Sequence, residues 1–188
     1  MRAVVYSMST SLDGYIVGPD GGFTWSTPDE EVFRLATDEV RGVGAHLMGR
    51  KLYETMIYWD TAEQDSSLND AEREFAAIWK SLDKVVFSQT LTAVEGENTR
   101  LASGGIADEI ARLRQVPGNG EIAIGGGELA AEVAALGLID EYRMRTYPVL
   151  VGGGTPFFAR ASRHVELELL ENGTLGSNVA YARYRVIR

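Results

Sequence analysis

The sequence predicts an α/β fold whose central sheet is mostly parallel, with an antiparallel edge at its C-terminal end. Up to about residue 137, short apolar or β-branched runs alternate with segments whose apolar residues recur at helical spacing. This alternation is typical of parallel strands joined by helical crossovers. After residue 137, three strand-like runs follow one another with glycine-rich turns between them, which indicates antiparallel pairing. No repeat or linker divides the chain, and its 188 residues fit one domain, residues 1–188.

Apolar or β-branched runs bounded by glycine, proline or charged residues predict the strands. These cover residues 3–8, 45–48, 84–88, 121–124, 141–149, 165–171 and 179–186. Apolar residues three and four positions apart predict the helices. These cover residues 51–57, 70–82, 106–114 and 129–136, and residues 59–69 are expected to form a polar loop.

A further helix is predicted from its N-terminal signals. Thr27 is expected to cap it, Pro28 lies in its first turn, and Glu30 would complete a capping box. The helix is expected to end near Arg41.

Composition excludes several classes of function. The net charge is −9, so the basic surface that binds nucleic acid phosphates is not expected. The chain has no cysteine, and its two histidines are far apart, so neither a disulfide nor a zinc site is predicted. The N-terminal apolar run is too short and too polar for a signal peptide or a membrane span. We expect a soluble, cytoplasmic protein that binds no metal and no membrane.

Three consecutive glycines, Gly125 to Gly127, separate a predicted strand from a predicted helix. They suit either a tight strand-to-helix connection or a phosphate site, where backbone N–H groups and the positive end of the helix meet an anion. The dinucleotide fingerprint of the Rossmann fold fits poorly, because the next acidic pair, Asp140 and Glu141, begins a strand. Three glycines exceed what a turn requires, so phosphate binding is the favoured interpretation.

Two other strand ends support a bound nucleotide. Gly49, Arg50 and Lys51 stand where a strand meets a helix, so the glycine would admit a phosphate and the cations would hold it. Residues 88–90 (Ser-Gln-Thr) follow the next strand. A nucleotide laid across the carboxyl edge of a sheet needs small and polar residues at such ends. The alternative is that the two cations are simply solvated side chains.

Taken together, these motifs resemble the dihydrofolate reductase superfamily, in particular bacterial proteins similar to the C-terminal reductase domain of riboflavin biosynthesis. The resemblance covers nearly the whole chain, and the order and spacing of its motifs carry it. The matching segments are residues 11–14 (SLDG), 48–54 (MGRKLYE), 84–88 (KVVFS), 124–127 (IGGG), 137–141 (GLIDE), 148–154 (PVLVGGG) and 156–157 (PF).

The resemblance implies a three-layer α/β/α dihydrofolate-reductase-like fold, NADPH as cofactor and hydride transfer as the reaction. Residues 49–52 and 88–90 would flank the adenosine half and its 2′-phosphate, residues 125–129 would hold the pyrophosphate, and Ile16 would lie by the nicotinamide. The implied cofactor residues are Ile16, Gly49, Arg50, Lys51, Leu52, Ser88, Gln89, Thr90, Gly125, Gly126, Gly127, Glu128 and Leu129.

For the substrate, the resemblance leaves two classes open. Trp25 and Glu30 match the pattern with which dihydrofolate reductases anchor a pterin, although Glu30 would serve equally as a helix cap. Leu82 and Asp83 stand where the folate-tail arginine is expected. The threonine–aspartate motif of riboflavin-pathway reductases is also missing after the second predicted strand. Thr146 stands where a pocket hydroxyl is expected.

The sequence therefore predicts an NADPH-dependent reductase that transfers a hydride to a small heterocycle of the pterin or pyrimidine type. Within that class, the specific candidates are dihydrofolate reductase and 5-amino-6-(5-phosphoribosylamino)uracil reductase. Glu30 is the candidate for a catalytic proton relay, with water as the alternative proton source. The alternatives from other classes are a nucleotide-binding module without turnover and a structural domain that forms dimers. A homodimer is a further expectation.

Overall fold

The computed structural model describes residues 1–158 and 164–188. Within these ranges the strands are β1 (Val4–Ser11), β2 (Tyr15–Val17), β3 (Val43–Gly49), β4 (Lys84–Phe87), β5 (Thr99–Leu101), β6 (Glu121–Gly125), β7 (Glu141–Tyr147), β8 (Thr155–Pro156), β9 (Leu167–Leu175) and β10 (Val179–Val186). The helices are α1 (Glu30–Arg41), α2 (Arg50–Met56), α3 (Asp70–Ser81), α4 (Ile106–Gln115) and α5 (Gly127–Ala135).

Eight of these strands form a sheet in the order β5-β4-β3-β6-β1-β7-β10-β9, and β2 pairs with β8 in a separate ribbon. The strands from β5 to β7 run parallel, whereas β10 is antiparallel to both β7 and β9. The predicted fold class, with a mostly parallel sheet and an antiparallel C-terminal edge, is confirmed. Because parallel strands end at the same side, the ends of β3, β4, β5 and β6 share one edge of the sheet.

The helices cover the sheet in two layers. Val85, Ile122 and Ile124 point to the face covered by α4 and α5, where they form a buried cluster with residues of both helices. Met48 and Val86 point to the opposite face and pack against α3, with apolar residues of α1 and α2 at the margin of that cluster. We call this second side the α1 face. In the described ranges, no helix has both the length and the apolar character needed to span a bilayer.

The structure corrects the predicted start of α1. The helix begins at Glu30, and its cap is Asp29, whose side chain accepts a hydrogen bond from the Val32 N–H at 2.9 Å. Thr27 instead donates its hydroxyl to the Thr24 carbonyl oxygen at 2.8 Å. The expected capping box with Glu30 is therefore wrong, because the chain enters the helix two residues later than predicted.

Three short strands were missing from the prediction, namely β2, β5 and β8. Each has two or three residues, which is too short for a periodic pattern to be recognised. The predicted loop over residues 59–69 contains short 3-10 turns, and β9 begins at Leu167, two residues later than predicted. These differences leave the order of the main elements unchanged.

Candidate functional site

A long cleft runs along the carboxyl edge of the parallel strands and continues beneath α1. Its volume is about 1510 Å³, which exceeds the usual volume of a site for one small ligand. One part is lined by the segments that follow β3, β4, β5 and β6, and we call it the strand-end half. The other is lined by side chains of β1, β7 and α1, and we call it the charged half.

In the strand-end half, the helices that closely follow a strand begin without a side-chain cap. The N-cap residues of α2, α4 and α5 are Gly49, Gly105 and Gly126, which have no side chain to accept from the helix backbone. By contrast, α1 and α3 follow longer loops, and the side chains of Asp29 and Asn69 cap them. The first N–H groups of a helix need an acceptor, so those of α2, α4 and α5 are available to a ligand or to water.

Two of the three consecutive glycines are required by packing. A Cβ atom at Gly125 would lie 2.2 Å from Leu52 Cδ2 and 2.6 Å from His46 Cε1, so the strand leaves room for these side chains. A Cβ atom at Gly127 would lie 3.0 Å from the carbonyl oxygen of Pro156. For these two positions the structure supports the tight-connection interpretation.

Gly126 and Gly49 are different, because the space beside them is open. A Cβ atom at Gly126 would meet only Leu52 Cβ, at 4.0 Å, but its φ of +93° strongly favours glycine. A Cβ atom at Gly49 would have no neighbour within 4 Å, and its φ of −77° is accessible to any residue. Gly49 therefore leaves backbone exposed to the cleft although no fold contact requires it.

The two cations of α2 lie at the mouth of the strand-end half. Arg50 donates to Glu54 Oε1 at 2.6 Å and to Thr90 Oγ1 at 3.0 Å, which ties the end of β3 to the end of β4. Lys51 lies 3.2 Å from Glu128 in a pair that is 85% and 79% exposed. Such an exposed pair contributes little, so Lys51 can turn toward another anion at small cost.

The loop after β4 is fixed by its own serine. Ser88 Oγ accepts hydrogen bonds from the backbone N–H groups of Thr90 at 3.2 Å and of Leu91 at 3.0 Å. Gln89, between them, is exposed and lines the cleft. The serine therefore shapes a turn that presents polar side chains to the cleft.

In the charged half, β1 and β7 place serines and arginines side by side. Ser7 pairs with Arg143 and Ser9 with Arg145 in the parallel register, and these four side chains point to the α1 face. Glu39 of α1 lies above them, with its Oε2 atom 2.7 Å from Arg145 Nη1. All five residues line the cleft.

The chain matches the model of the RibD C-terminal domain over residues 2–181 of its 188 residues. It belongs to the RibD C-terminal domain family. It is 27% identical to the uncharacterized protein YyaP of Bacillus subtilis strain 168 over 183 residues, which cover 97% of this chain and 94% of YyaP.

Solved structures also resemble this RibD C-terminal domain. A candidate riboflavin biosynthesis protein of Shewanella sp. PV-4 superposes with a TM-score of 0.76 at 25% identity, and all of both chains is covered. Dihydrofolate reductase from Enterococcus faecalis, solved with NADP(H), superposes with a TM-score of 0.61 at 15% identity, over 99% of this chain and 97% of the enzyme. The predicted relation to the dihydrofolate reductase superfamily is confirmed.

Most residues predicted to bind the cofactor meet in the cleft of this RibD C-terminal domain. Those that line it are Ile16, Gly49, Arg50, Lys51, Leu52, Ser88, Gln89, Thr90, Gly126, Gly127, Glu128 and Leu129. Gly125 does not, because its backbone lies over Leu52 and His46.

The residues predicted to hold the substrate lie elsewhere. Glu30 is exposed in the first turn of α1, and Trp25 packs edge-to-face on Tyr147 with ring centroids 6.1 Å apart. Thr146 neighbours Arg145 on β7 and so points to the opposite face of the sheet. In the described part of the chain, Glu30, Trp25 and Thr146 are not among the residues lining the cleft. The roles predicted for Glu30, Trp25 and Thr146 stay predictions.

Sequence reasoning missed the segment between β5 and α4, where Gly104 and Gly105 line the cleft. Glu109 of α4 fixes this segment, since its buried carboxylate accepts from Arg100 Nη2 at 2.7 Å and from the Ser103 N–H at 2.9 Å. The Arg100 hydrogen bond, supported by Ser103, lowers the pKa of Glu109 to about 2 although burial opposes the shift. The two glycines before α4 could have indicated this part of the cleft. They were overlooked because β5, the strand before them, was too short to be recognised from the sequence.

His46 was also missed as a cleft residue. Its ring lies beneath Gly125 on the α1 face and packs against Trp79 with ring centroids 5.3 Å apart. Burial lowers the pKa of His46 to about 4, and the positive charge of Lys84 acts in the same direction. The imidazole is therefore neutral at physiological pH.

Proposed function

We propose that this protein is an NADPH-dependent reductase that transfers a hydride to a small heterocycle of the pterin or pyrimidine type. One observation carries the proposal. The uncapped starts of α2, α4 and α5 converge on one edge of the sheet, beside the cations of α2. Unpaired backbone N–H groups at helix starts favour phosphate groups, and several at one edge fit a dinucleotide.

The side chains at this edge suit the parts of NADPH in turn. Gly126 and the start of α5 would hold the pyrophosphate, since the open backbone there admits an anion. Arg50 and Lys51 would bind the 2′-phosphate, with Ser88 beside the adenosine. Ile16 is buried and lines the cleft, so it would give the nicotinamide an apolar wall.

NADPH, when bound, supplies the hydride, and the protein contributes binding, orientation and the exclusion of water. The strand-end half would orient the cofactor through backbone groups, and the charged half would hold the acceptor. Enterococcus dihydrofolate reductase, which shares the fold, was solved with NADP(H), and this supports the choice of cofactor.

The direct experiment is differential scanning fluorimetry with NADPH, followed by an assay of NADPH oxidation with pterins and pyrimidines. A ligand that binds only the folded state raises the melting temperature with its concentration. We expect such a rise with NADPH and oxidation with at least one heterocycle. The absence of any rise at millimolar NADPH would remove the proposal. A rise without oxidation of NADPH across the panel would favour a nucleotide-binding module.

The sharpest variant is Gly49→Ala. The new methyl group meets no atom of the fold within 4 Å, so the melting temperature of the free protein should fall only by the small cost of alanine at a helix N-cap. If the backbone at Gly49 lies against the cofactor, NADPH affinity should fall at least tenfold, which corresponds to about 1.4 kcal/mol. Gly173→Ala is the matched control, because Gly173 lies in β9 and also has open space around its Cβ position. Equal NADPH affinity of the two variants would place the cofactor elsewhere.

Arg50→Ala tests how the cofactor is selected. Loss of a charge-assisted contact to the 2′-phosphate should weaken NADPH by roughly 1–3 kcal/mol and leave NADH nearly unchanged. Arg41→Ala removes a comparable exposed cation from the end of α1, where it pairs with Asp38 and Glu74, and should affect neither cofactor. Equal weakening of NADPH and NADH by Arg50→Ala would show that Arg50 supports the loop through Thr90 and does not bind the phosphate.

A further inference from the structure

The charged half of the cleft is organised around Arg145, which is 8% exposed. Its Nη1 atom donates to Glu39 Oε2 at 2.7 Å and to Ser7 Oγ at 3.1 Å. Ser7 in turn donates to Glu39 Oε2 at 2.7 Å, and the Tyr181 hydroxyl donates to Glu39 Oε1 at 3.2 Å. Both carboxylate oxygens of Glu39 are therefore occupied by the protein. The carboxylate therefore orients the arginine.

Two of the donor groups of Arg145 remain free. Among residues 1–158 and 164–188, no acceptor takes a hydrogen bond from its Nε or Nη2 atoms, although the residue is buried and lines the cleft. Because Arg145 lines the cleft, a ligand or water in the cleft can accept hydrogen bonds from these donors. Ser9 pairs with Arg145 across the strands and lies on the same face of the sheet.

The charges around Arg145 limit what that ligand can be. The neighbouring Arg143 donates to Glu121 at 2.6 Å and to Glu141 at 2.5 Å. Burial alone would lower the pKa of Arg143, but these two carboxylates raise it above its usual range. Three carboxylates, those of Glu39, Glu121 and Glu141, thus face three guanidinium groups, those of Arg143, Arg145 and Arg183. With no excess of positive charge, a phosphate or carboxylate would be poorly compensated at this buried position.

We infer that the free edge of Arg145 binds a carbonyl oxygen of an uncharged, planar lactam heterocycle. The guanidinium group of arginine is planar and presents parallel N–H donors, which can bond in plane with a flat acceptor. The ammonium group of lysine has no such planar pair of donors. The inference rests on the proposed function for the reaction that follows binding, whereas the binding itself depends only on the charged half of the cleft. It places the acceptor heterocycle on β7 and β1, away from Glu30.

The probe is lumazine, a fluorescent bicyclic heterocycle with two ring carbonyl groups, and its binding is measured by fluorescence titration with and without NADPH. The test variant is Arg145→Lys, which keeps a positive charge beside Glu39 so that the buried carboxylate is not left alone. The control is Arg185→Lys, since Arg185 lies exposed on β10 and pairs with Glu168 outside the cleft. Melting temperature and the NADPH-induced shift are recorded for both variants.

We expect Arg145→Lys to weaken lumazine at least tenfold, because lysine keeps the charge but loses the planar pair of donors, while Arg185→Lys and the NADPH shifts stay as in the wild type. Lumazine-6-carboxylate should bind the wild type no better than lumazine. The inference is overturned if the wild type does not bind lumazine, if Arg145→Lys binds it equally well, or if the carboxylate derivative binds more tightly. Loss of the NADPH shift with intact lumazine binding would instead remove only the proposed function.

Discussion

The two halves of the cleft are built from different parts of the chain. The strand-end half presents backbone to the cleft, where glycines begin α2, α4 and α5, and side chains such as Ser88 fix the loops around it. The charged half consists of side chains that meet across the sheet, such as Glu39 of α1 with Ser7 and Arg145. A backbone site suits a group that every member of a cofactor class carries, such as a phosphate. A side-chain site can distinguish one heterocycle from another, because its donors and acceptors are placed individually.

The glycines of the strand-end half occupy similar positions at strand ends but have different structural roles. Gly125 has no side chain because two neighbouring side chains fill its space, whereas Gly49 faces open cleft. Each of the following predictions separates a contribution to the fold from a contribution to the ligand site.

The largest effect is expected for Gly125→Ala. The added methyl group would overlap Leu52 and His46, and overpacking of this kind costs about 3 kcal/mol of unfolding free energy. Urea denaturation measures the loss. The double variant Gly125→Ala/Leu52→Ala should recover part of it, because the nearest atom in the overlap, 2.2 Å away, belongs to Leu52. An unchanged denaturation midpoint for Gly125→Ala would contradict the packing role of Gly125 and would again favour a role in phosphate binding.

His46 should make stability depend on pH. Its folded-state pKa of about 4 lies below the unfolded value of about 6.5, so between these pH values the unfolded chain binds more protons. Stability should therefore fall as the pH decreases from 6.5 to 4, by up to about 1.4 kcal/mol per pH unit from this residue. Urea titrations at several pH values measure the slope for the wild type and for His46→Phe, which keeps a ring against Trp79. Equal slopes would mean that the pKa of His46 is the same in the folded and the unfolded protein.

Gly126→Ala should destabilise the protein by about 1 kcal/mol, because alanine is strained at φ +93°. If the pyrophosphate also lies there, NADPH affinity should fall by far more than the change in stability explains. Gly14→Ala is the matched control, since Gly14 has a φ of +88° and no neighbour within 4 Å of its Cβ position. A melting temperature that falls in both variants with NADPH affinity unchanged would make Gly126 only a turn.

The smallest effect on stability is expected for Gly105→Ser. Serine would give α4 the side-chain cap that α1 and α3 already have, with a gain of about 0.3 kcal/mol. The same hydroxyl would compete for N–H groups that the proposal assigns to the cofactor, so NADPH affinity should decrease. Asn69→Ser, which exchanges one capping residue for another on α3, should leave the affinity unchanged. A stabilised Gly105→Ser protein with wild-type NADPH affinity would exclude α4 from the cofactor site.

The sequence by itself determined the order of the main strands and helices and, within the strand-end half of the cleft, the starts of α2 and α5. These features depend on residues that are close in the chain, such as the apolar runs and the glycines that directly precede α2 and α5. Periodicity and turn chemistry act over a few residues, so they are visible without knowledge of the fold.

Only the tertiary structure decided the charged half of the cleft. Glu39 is 32 residues from Ser7 and 106 from Arg145, and no local pattern connects them. On β7 a shift of one residue exchanges the two faces of the sheet, which is why Thr146 points away from the cleft and Arg145 points into it. The cap of α1 is likewise visible only in the structure, because the helix begins at Glu30 and Asp29, not Thr27, caps it. Side-chain partners distant in sequence and the face a strand residue occupies are set by the pairing register, which forms only when the whole sheet assembles.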